Sequence, residues 1–312
     1  MGRREEWTWT ARDGLRLHGV GWRPDAEPPA GAVLLVHGMG EHIGRYEHVA
    51  AAIAGAGYAC VGFDLRGHGR SGGRRGDAES YEHLLDDVDL ALTRLREYAP
   101  DVPAFVWAHS YGGAIALNYA IRRRPGLAGM VVTGPWLRLA FEPPAWKLAV
   151  GQVFRRVWPS FTMKRGIRSG RLTRIAEAEA DAMSDPLNHG VISARSFFGA
   201  KEHGLRALRE ADGLPSPILL MHGGDDQVTD AGASRELADR LGERCTFRLY
   251  EGMAHELHND WCKDEMLGEA LRWLDERTRE LRPELAAPSD ENREANDLDE
   301  TKENCGDATS WH

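Results

Sequence analysis

The feature that most constrains this chain is a series of short apolar runs, each stopped by polar or glycine residues: AVLLVHG, YACVGFD, AFVWAH, GMVVTG, PILLMHG and TFRLYEG. A strand with one wet face alternates apolar and polar residues, and these runs are nearly continuous. They predict strands buried on both faces. Helical stretches lie between them, at about residues 46–57, 80–98 and 111–123. Ser80 is placed to cap the second of these, with Glu82 and His83 in its first turn. Alternating strands and helices close into a mostly parallel twisted sheet with helices on both sides, so the fold class is α/β. Two earlier runs, WTWTAR and LRLHGVGWRP, predict an antiparallel pair at the start.

One region breaks the rhythm. From residue 136 to 213 no strand pattern is visible, and helical pieces rich in aromatics and arginines take over. They predict a helical cap inserted at the carboxyl ends of the strands, where open α/β sheets bind ligands. The expected organisation is a core in two parts, 1–135 and 214–281, a cap at 136–213 and a tail at 282–312. From Pro283 onward there are nine acidic and two basic residues, a net charge of −7 out of −9 for the whole chain. That composition predicts a disordered tail on a nearly neutral body.

Several function classes drop out. No run of about 18 apolar residues exists to span a membrane. The N-terminus MGRREEWTWT has no apolar h-region, so no secretory signal is expected. Glu6 stands where a myristoylation signal wants Ser or Thr. Cys60, Cys245, Cys262 and Cys305 form no CxxC pair and no secreted-type framework, which predicts free thiols and a cytoplasmic location. No basic stripe suggests nucleic acid as a partner.

The chemistry starts at Ser110. Ala108-His109-Ser110-Tyr111-Gly112 follows a strand and opens a helix, as the nucleophile elbow G-x-S-x-G does, with alanine at its first position. A sharp strand-to-helix turn exposes the serine oxygen, and small flanking residues let neighbouring backbone approach. An ordinary N-cap serine is the bland alternative. A serine nucleophile needs a base, and the base a carboxylate, in the chain order Ser, Asp, His. Asp225 and Asp226 stand in the loop after PILLMHG, and His255 stands in the loop after TFRLYEG. The glycine-bearing loop His37-Gly38-Met39-Gly40 follows the first central strand. The backbone amides of Met39 and Tyr111 are the expected oxyanion donors. Two other patterns are set aside. Gly67-His68-Gly69-Arg70-Ser71-Gly72 matches a dinucleotide fingerprint but opens into more glycines and arginines rather than a helix. It reads as a long loop behind the catalytic face, with Asp64 structural. The histidines at 37, 42, 255 and 258 lack a metal-binding spacing.

The segments HGMGEHIGRYEHVA, GFDLRGHGRSGG, AHSYGGAIAL, MHGGDDQVTD and YEGMAHELHND resemble the α/β-hydrolase superfamily. Within it they resemble the monoacylglycerol lipase and lysophospholipase branch, also filed as serine aminopeptidase-type hydrolases. The resemblance runs from about residue 31 to 277 and is loose in the cap. It implies an α/β-hydrolase fold and selects Asp226 over Asp225. It also implies a glycerol head-group role for Glu41, Arg45 and His258; a steadying ion pair between Glu41 and Arg45 is the alternative. Departures are Ala108 for glycine, Tyr111 where methionine is common, and Thr229 where some members carry cysteine. The implied activity is cofactor-free hydrolysis of a lipid ester, monoacylglycerol first, with a lysophospholipid or a general carboxylic ester as alternatives. A catalytically silent binding protein on the same scaffold is the alternative from another class. The cap carries Trp136, Phe141, Trp146, Phe154, Trp158, Phe161, Phe197 and Phe198. It also carries Arg155, Arg156, Lys164, Arg165, Arg168, Arg171 and Arg174. Peripheral contact with a membrane surface through the cap is the expectation drawn from them; for most single aromatics, burial in the cap's own core is the simpler reading.

Overall fold

The computed structural model describes residues 3–164 and 170–283. The disorder expected of the acidic tail falls on residues 284–312, outside the described residues, as do Arg165 and Arg168. The chain opens with β1 (Arg4–Thr10), β2 (Arg16–Trp22) and β3 (Gly31–Val36). Next come α1 (Glu47–Gly55), β4 (Tyr58–Phe63), α2 (Tyr81–Tyr98), β5 (Ala104–His109), α3 (Ser110–Arg123) and β6 (Gly129–Thr133). After the intervening region follow β9 (Ile218–Gly223), α7 (Ala231–Leu241), β10 (Cys245–Tyr250) and α8 (Lys263–Leu281). That region itself holds α4 (Ala145–Val157), β7 (Thr162–Lys164), α5 (Ala176–Ser184), β8 (Val191–Ser193) and α6 (Ala194–Arg209).

Eight strands form one sheet in the order β1-β2-β4-β3-β5-β6-β9-β10. β1 and β2 pair antiparallel, as expected, and so do β2 and β4. From β4 to β10 every pairing is parallel. Successive residues of a strand point to opposite faces, and the central strands divide accordingly. Val106 and Ala108 of β5 pack with α2 and α3 on one side. Phe105 and Trp107 pack with α1 and α8 on the other. Both faces of β3, β4, β5, β6 and β9 are covered, which is why their runs read as continuous; β10, expected to be buried on both faces as well, lies at the edge of the sheet and is only partly buried, with Arg248 exposed. Ser80 does cap α2, its side chain accepting from the His83 amide at 3.2 Å.

Two expectations need correction. The region between β6 and β9 is not free of strands: β7 and β8 pair antiparallel, with Thr162 opposite Ser193 and Lys164 opposite Val191. Three residues per strand are too few for any period to show in sequence. The loop RGHGRSGGRRG is not behind the catalytic face. It leaves the carboxyl end of β4, which is parallel to β3, so it emerges at the same sheet edge as the turn into α3. There it carries the region above: Ser193 donates to Gly76 O at 2.9 Å, and Arg195 pairs with Asp77. Asp64 is structural, as expected, accepting from the amides of Ile43 (2.8 Å) and Arg70 (2.7 Å).

Candidate active site

The carboxyl ends of β3, β5, β9 and β10 each deliver a loop or turn to one place. At the end of β5 the chain reverses into α3 within one residue. Ser110 takes a left-handed backbone, φ +53, a conformation that costs a non-glycine residue about 1–3 kcal/mol. Gly112 permits this turn. A Cβ there would lie 2.4 Å from the carbonyl oxygen of His37 and 2.5 Å from that of Val36. The first turn of α3 is thus pressed against the end of β3, and position 112 tolerates no side chain. Ala108 fits where glycine is usual because it is still within β5, fully buried, opposite Val36 and Val132.

Ser110 does not act as a helix cap. Its Oγ lies 2.8 Å from His255 Nε2, and His255 Nδ1 lies 2.6 Å from Asp226 Oδ2. A carboxylate only accepts, so the Nδ1 hydrogen faces Asp226 and the Nε2 lone pair faces the serine hydroxyl. Asp226 is held by further donors. Its Oδ1 accepts the amides of Val228 (2.7 Å) and Thr229 (2.9 Å), and its Oδ2 accepts the Thr229 hydroxyl at 2.8 Å. His222 Nε2 lies 3.1 Å from the same oxygen. Burial alone would raise the Asp226 pKa; the charge of His255 and the bonds from His222 and His255 hold it well below the ordinary carboxylate value. Burial would likewise lower the pKa of His255, and the Asp226 charge and hydrogen bond raise it instead. Asp225 points outward and pairs with Arg174 at 2.7 Å. Gly223 closes the two loops together: a Cβ there would lie 2.1 Å from the carbonyl oxygen of Ala254, next to His255.

The loop after β3 lies directly against Ser110, since a Cβ on Gly38 would come within 3.2 Å of the Ser110 Cβ. Met39 follows in this loop and is buried. The Tyr111 amide is in the first turn of α3, where N–H groups have no acceptor inside the helix. Glu41 braces the loop: its Oε1 accepts the Gly38 amide at 2.5 Å and the Tyr46 hydroxyl at 2.8 Å. Its Oε2 accepts Arg45 Nη1 at 2.8 Å. Glu41 and Arg45 therefore spend their bonding on the protein itself. His258 differs. It is buried, stacked on Tyr46 with ring centroids 4.6 Å apart, and neither ring nitrogen has a hydrogen-bond partner among the described residues. Burial pushes its pKa down to about 3, so the ring is neutral.

Elements from beyond β6 close the site from above. His189 donates to Gly40 O at 2.8 Å, Glu256 donates to Leu172 O at 2.7 Å, and His42 Nε2 lies 2.7 Å from Asp185 Oδ2. Ser110 is 6 % exposed as a result.

Three residues of the site were not among those expected from sequence. His222 and the hydroxyl of Thr229 reach Asp226, and Glu256 reaches Arg45 with both oxygens, at 2.9 and 2.7 Å. Glu256 was visible as an acid adjoining His255 in HELHND, but its partner lies more than two hundred residues upstream.

The comparisons with known proteins agree with this architecture. Residues 27–261 match the family described as Serine aminopeptidase, S33. A monoacylglycerol lipase of Mycolicibacterium smegmatis is 30% identical over 276 residues, covering 87% of this chain and 97% of the relative. An abhydrolase domain-containing protein of Dictyostelium discoideum is 34% identical over 266 residues, which cover 84% of this chain and 28% of that longer protein. The crystal structure of the Paleococcus ferrophilus monoacylglycerol lipase superposes with a TM-score of 0.77 at 30% identity, covering 84% of this chain and 99% of that one. The chain belongs to the serine aminopeptidase S33 family of α/β-hydrolases, in its monoacylglycerol lipase branch.

Proposed function

We propose that this chain hydrolyses the ester bond of monoacylglycerols through Ser110, His255 and Asp226. The broader statement, a carboxylic-ester hydrolase, follows from its family and branch. The observation that supports the serine mechanism is the unbroken line from Asp226 Oδ2 to His255 to Ser110 Oγ, at 2.6 and 2.8 Å. His255 takes the hydroxyl proton as Ser110 attacks the ester carbonyl. Asp226 holds the imidazole in the required tautomer and stabilises the imidazolium. The Met39 and Tyr111 amides stabilise the tetrahedral oxyanion, and His255 returns the proton to the departing alcohol. His255 then activates water against the acyl-enzyme, releasing fatty acid. None of these steps calls on a cofactor.

His258 supports a polyol leaving group. A buried neutral ring with two unspent nitrogens is suited to bind hydroxyls. Glu41 and Arg45 favour the steadying role, because their charges are already paired. For a lysophospholipid the cap would have to offer a free cation; Arg155 and Arg174 are engaged with Glu202 and Asp225, so that head group would have to draw on the other cap cations.

Peripheral membrane contact belongs to the same proposal. Among the described residues no helix is long and apolar enough to cross a membrane. On α4, Trp146, Val150, Val153 and Val157 recur at spacings of four, three and four, which puts them on one face. All are exposed, Trp146 at 65 % and Val153 at 59 %, and Gly151 is the helix's one buried residue. Other cap aromatics pack inward, including Trp136 and Phe198, and Phe154 stacks on Phe161 at 4.1 Å. An amphipathic helix of this kind lies in a lipid interface and brings the site to its substrate. A cytoplasmic enzyme working at a membrane surface fits this reading. The test is fatty acid release from a long-chain monoacylglycerol and a lysophospholipid, side by side. Preference for the former is expected; preference for the latter would move the assignment to a lysophospholipase.

A further inference from the structure

The mechanism above leaves one buried acid beside its base unused. Glu256 adjoins His255 and is 3 % exposed. Both its oxygens take Arg45, and Oε2 also accepts from Asn259 Nδ2 at 2.9 Å. Arg45 in turn holds Glu41, and Glu41 holds the Gly38 amide next to Met39. We propose that Glu256 is a positioning residue for the reaction: through its two-point ion pair with Arg45 it locks the loop carrying the catalytic base to the loop carrying an oxyanion donor. This rests on the triad reading of Ser110, His255 and Asp226.

Two observations favour this over a simple surface-loop staple. The first is topological. The loops leave β3 and β10, which are four strand spacings apart in the sheet, roughly 19 Å at about 4.8 Å per strand. The sheet alone does not fix one loop against the other, so their own contacts must. The second is electrostatic. One guanidinium serves two buried carboxylates, Glu41 and Glu256, so the network keeps a surplus negative charge. The ionisable groups that face His255 and Glu256 are Asp226, Glu41, Arg45, His109 and His258, with His109 and His255 ring centroids 4.7 Å apart. The histidines at 109 and 258 are held neutral by burial. The surplus therefore acts on the imidazolium that His255 becomes as Ser110 attacks. That interaction is stronger in the transition state than in the resting enzyme, so it belongs in kcat.

The experiment compares wild type, Glu256→Gln, Arg45→Lys and Ser110→Ala in the full chain, with p-nitrophenyl butyrate as the probe and pH profiles of kcat/KM. For Glu256→Gln, kcat should fall on the order of tenfold to a hundredfold with KM little changed. The acid limb of its profile should move to lower pH, because His255 loses a neighbouring negative charge. Arg45→Lys keeps the charge and loses the two-point fork, so kcat should fall with the acid limb in place. If Glu256→Gln proves too unstable to purify, the neutral set Glu41→Gln/Arg45→Met/Glu256→Gln should show the same two changes. Wild-type kcat and acid limb in these variants, alongside an inactive Ser110→Ala, would overturn the role of Glu256 alone. Activity surviving in Ser110→Ala would instead overturn the triad beneath it.

Discussion

Replacing Asp226 by asparagine isolates what the carboxylate does, because the structure dictates how the amide must sit. Asp226 Oδ1 accepts two backbone amides, from Val228 and Thr229. Only an oxygen can occupy that position, so the asparagine NH2 must take the place of Oδ2. There it faces His255 Nδ1, now 2.6 Å away across the Asp226 bond. Two donors cannot face each other, so His255 must carry its proton on Nε2 instead. That nitrogen then donates to Ser110 Oγ and can no longer accept its proton. The side chain is otherwise isosteric, so folding should be little affected. A wrong tautomer of this kind lowers kcat by roughly four orders of magnitude in a Ser-His-Asp enzyme, which at 1.36 kcal/mol per tenfold is about 5.5 kcal/mol of transition-state stabilisation. The assay is steady-state hydrolysis of a soluble short-chain ester, with a thermal melt to show the variant is folded. Asp225→Asn should behave as wild type, since that residue pairs outward with Arg174. A folded Asp226→Asn within tenfold of wild type would refute the tautomer argument.

Other outcomes follow from the same geometry. Gly112→Ala puts a methyl against two backbone carbonyls that cannot move aside, and should lose about 1–3 kcal/mol in urea unfolding; unchanged stability would mean the turn into α3 is looser than described. In the proposed mechanism His255 works as a base when neutral, and Asp226 raises its pKa against burial. Activity should therefore be lost as pH falls through a value above the ordinary histidine figure of about 6.5, and an acid limb below that figure would contradict the pairing. Val153→Asp on the exposed face of α4 should weaken binding to anionic vesicles while leaving kcat on a soluble short ester as in wild type; equal vesicle binding would remove α4 as the contact.

The fold was legible where local pattern and burial agree. β5 shows this best: Ala104–His109 is covered on both faces, so its sequence is apolar up to His109 and its end is marked by Ser110. The candidate site was legible because the residues brought together lie at strand ends in a fixed chain order. What the sequence hid was set by contacts across the chain. Asp225 and Asp226 are chemically equal neighbours; the family resemblance selects the second, and its physical reason, the amides of Val228 and Thr229, shows only in the fold. β7 and β8 are three-residue strands that exist because they find each other. The loop from Asp64 to Asp77 has no visible side of the sheet in the sequence, because the parallel neighbour of β4, β3, cannot be read from β4 itself. Glu256 looks like any acid in a polar loop until Arg45 folds against it. His222 lies next to the end of an apolar strand, and its reach to Asp226 depends on the turn between them.

The most direct test of Ser110 as the nucleophile is a fluorophosphonate label followed by peptide mass spectrometry. One covalent adduct is expected, on Ser110, formed by the wild type, absent from Ser110→Ala and strongly slowed in His255→Ala. An unlabelled Ser110 in folded protein, or an adduct on another serine that accompanies loss of activity, would contradict it.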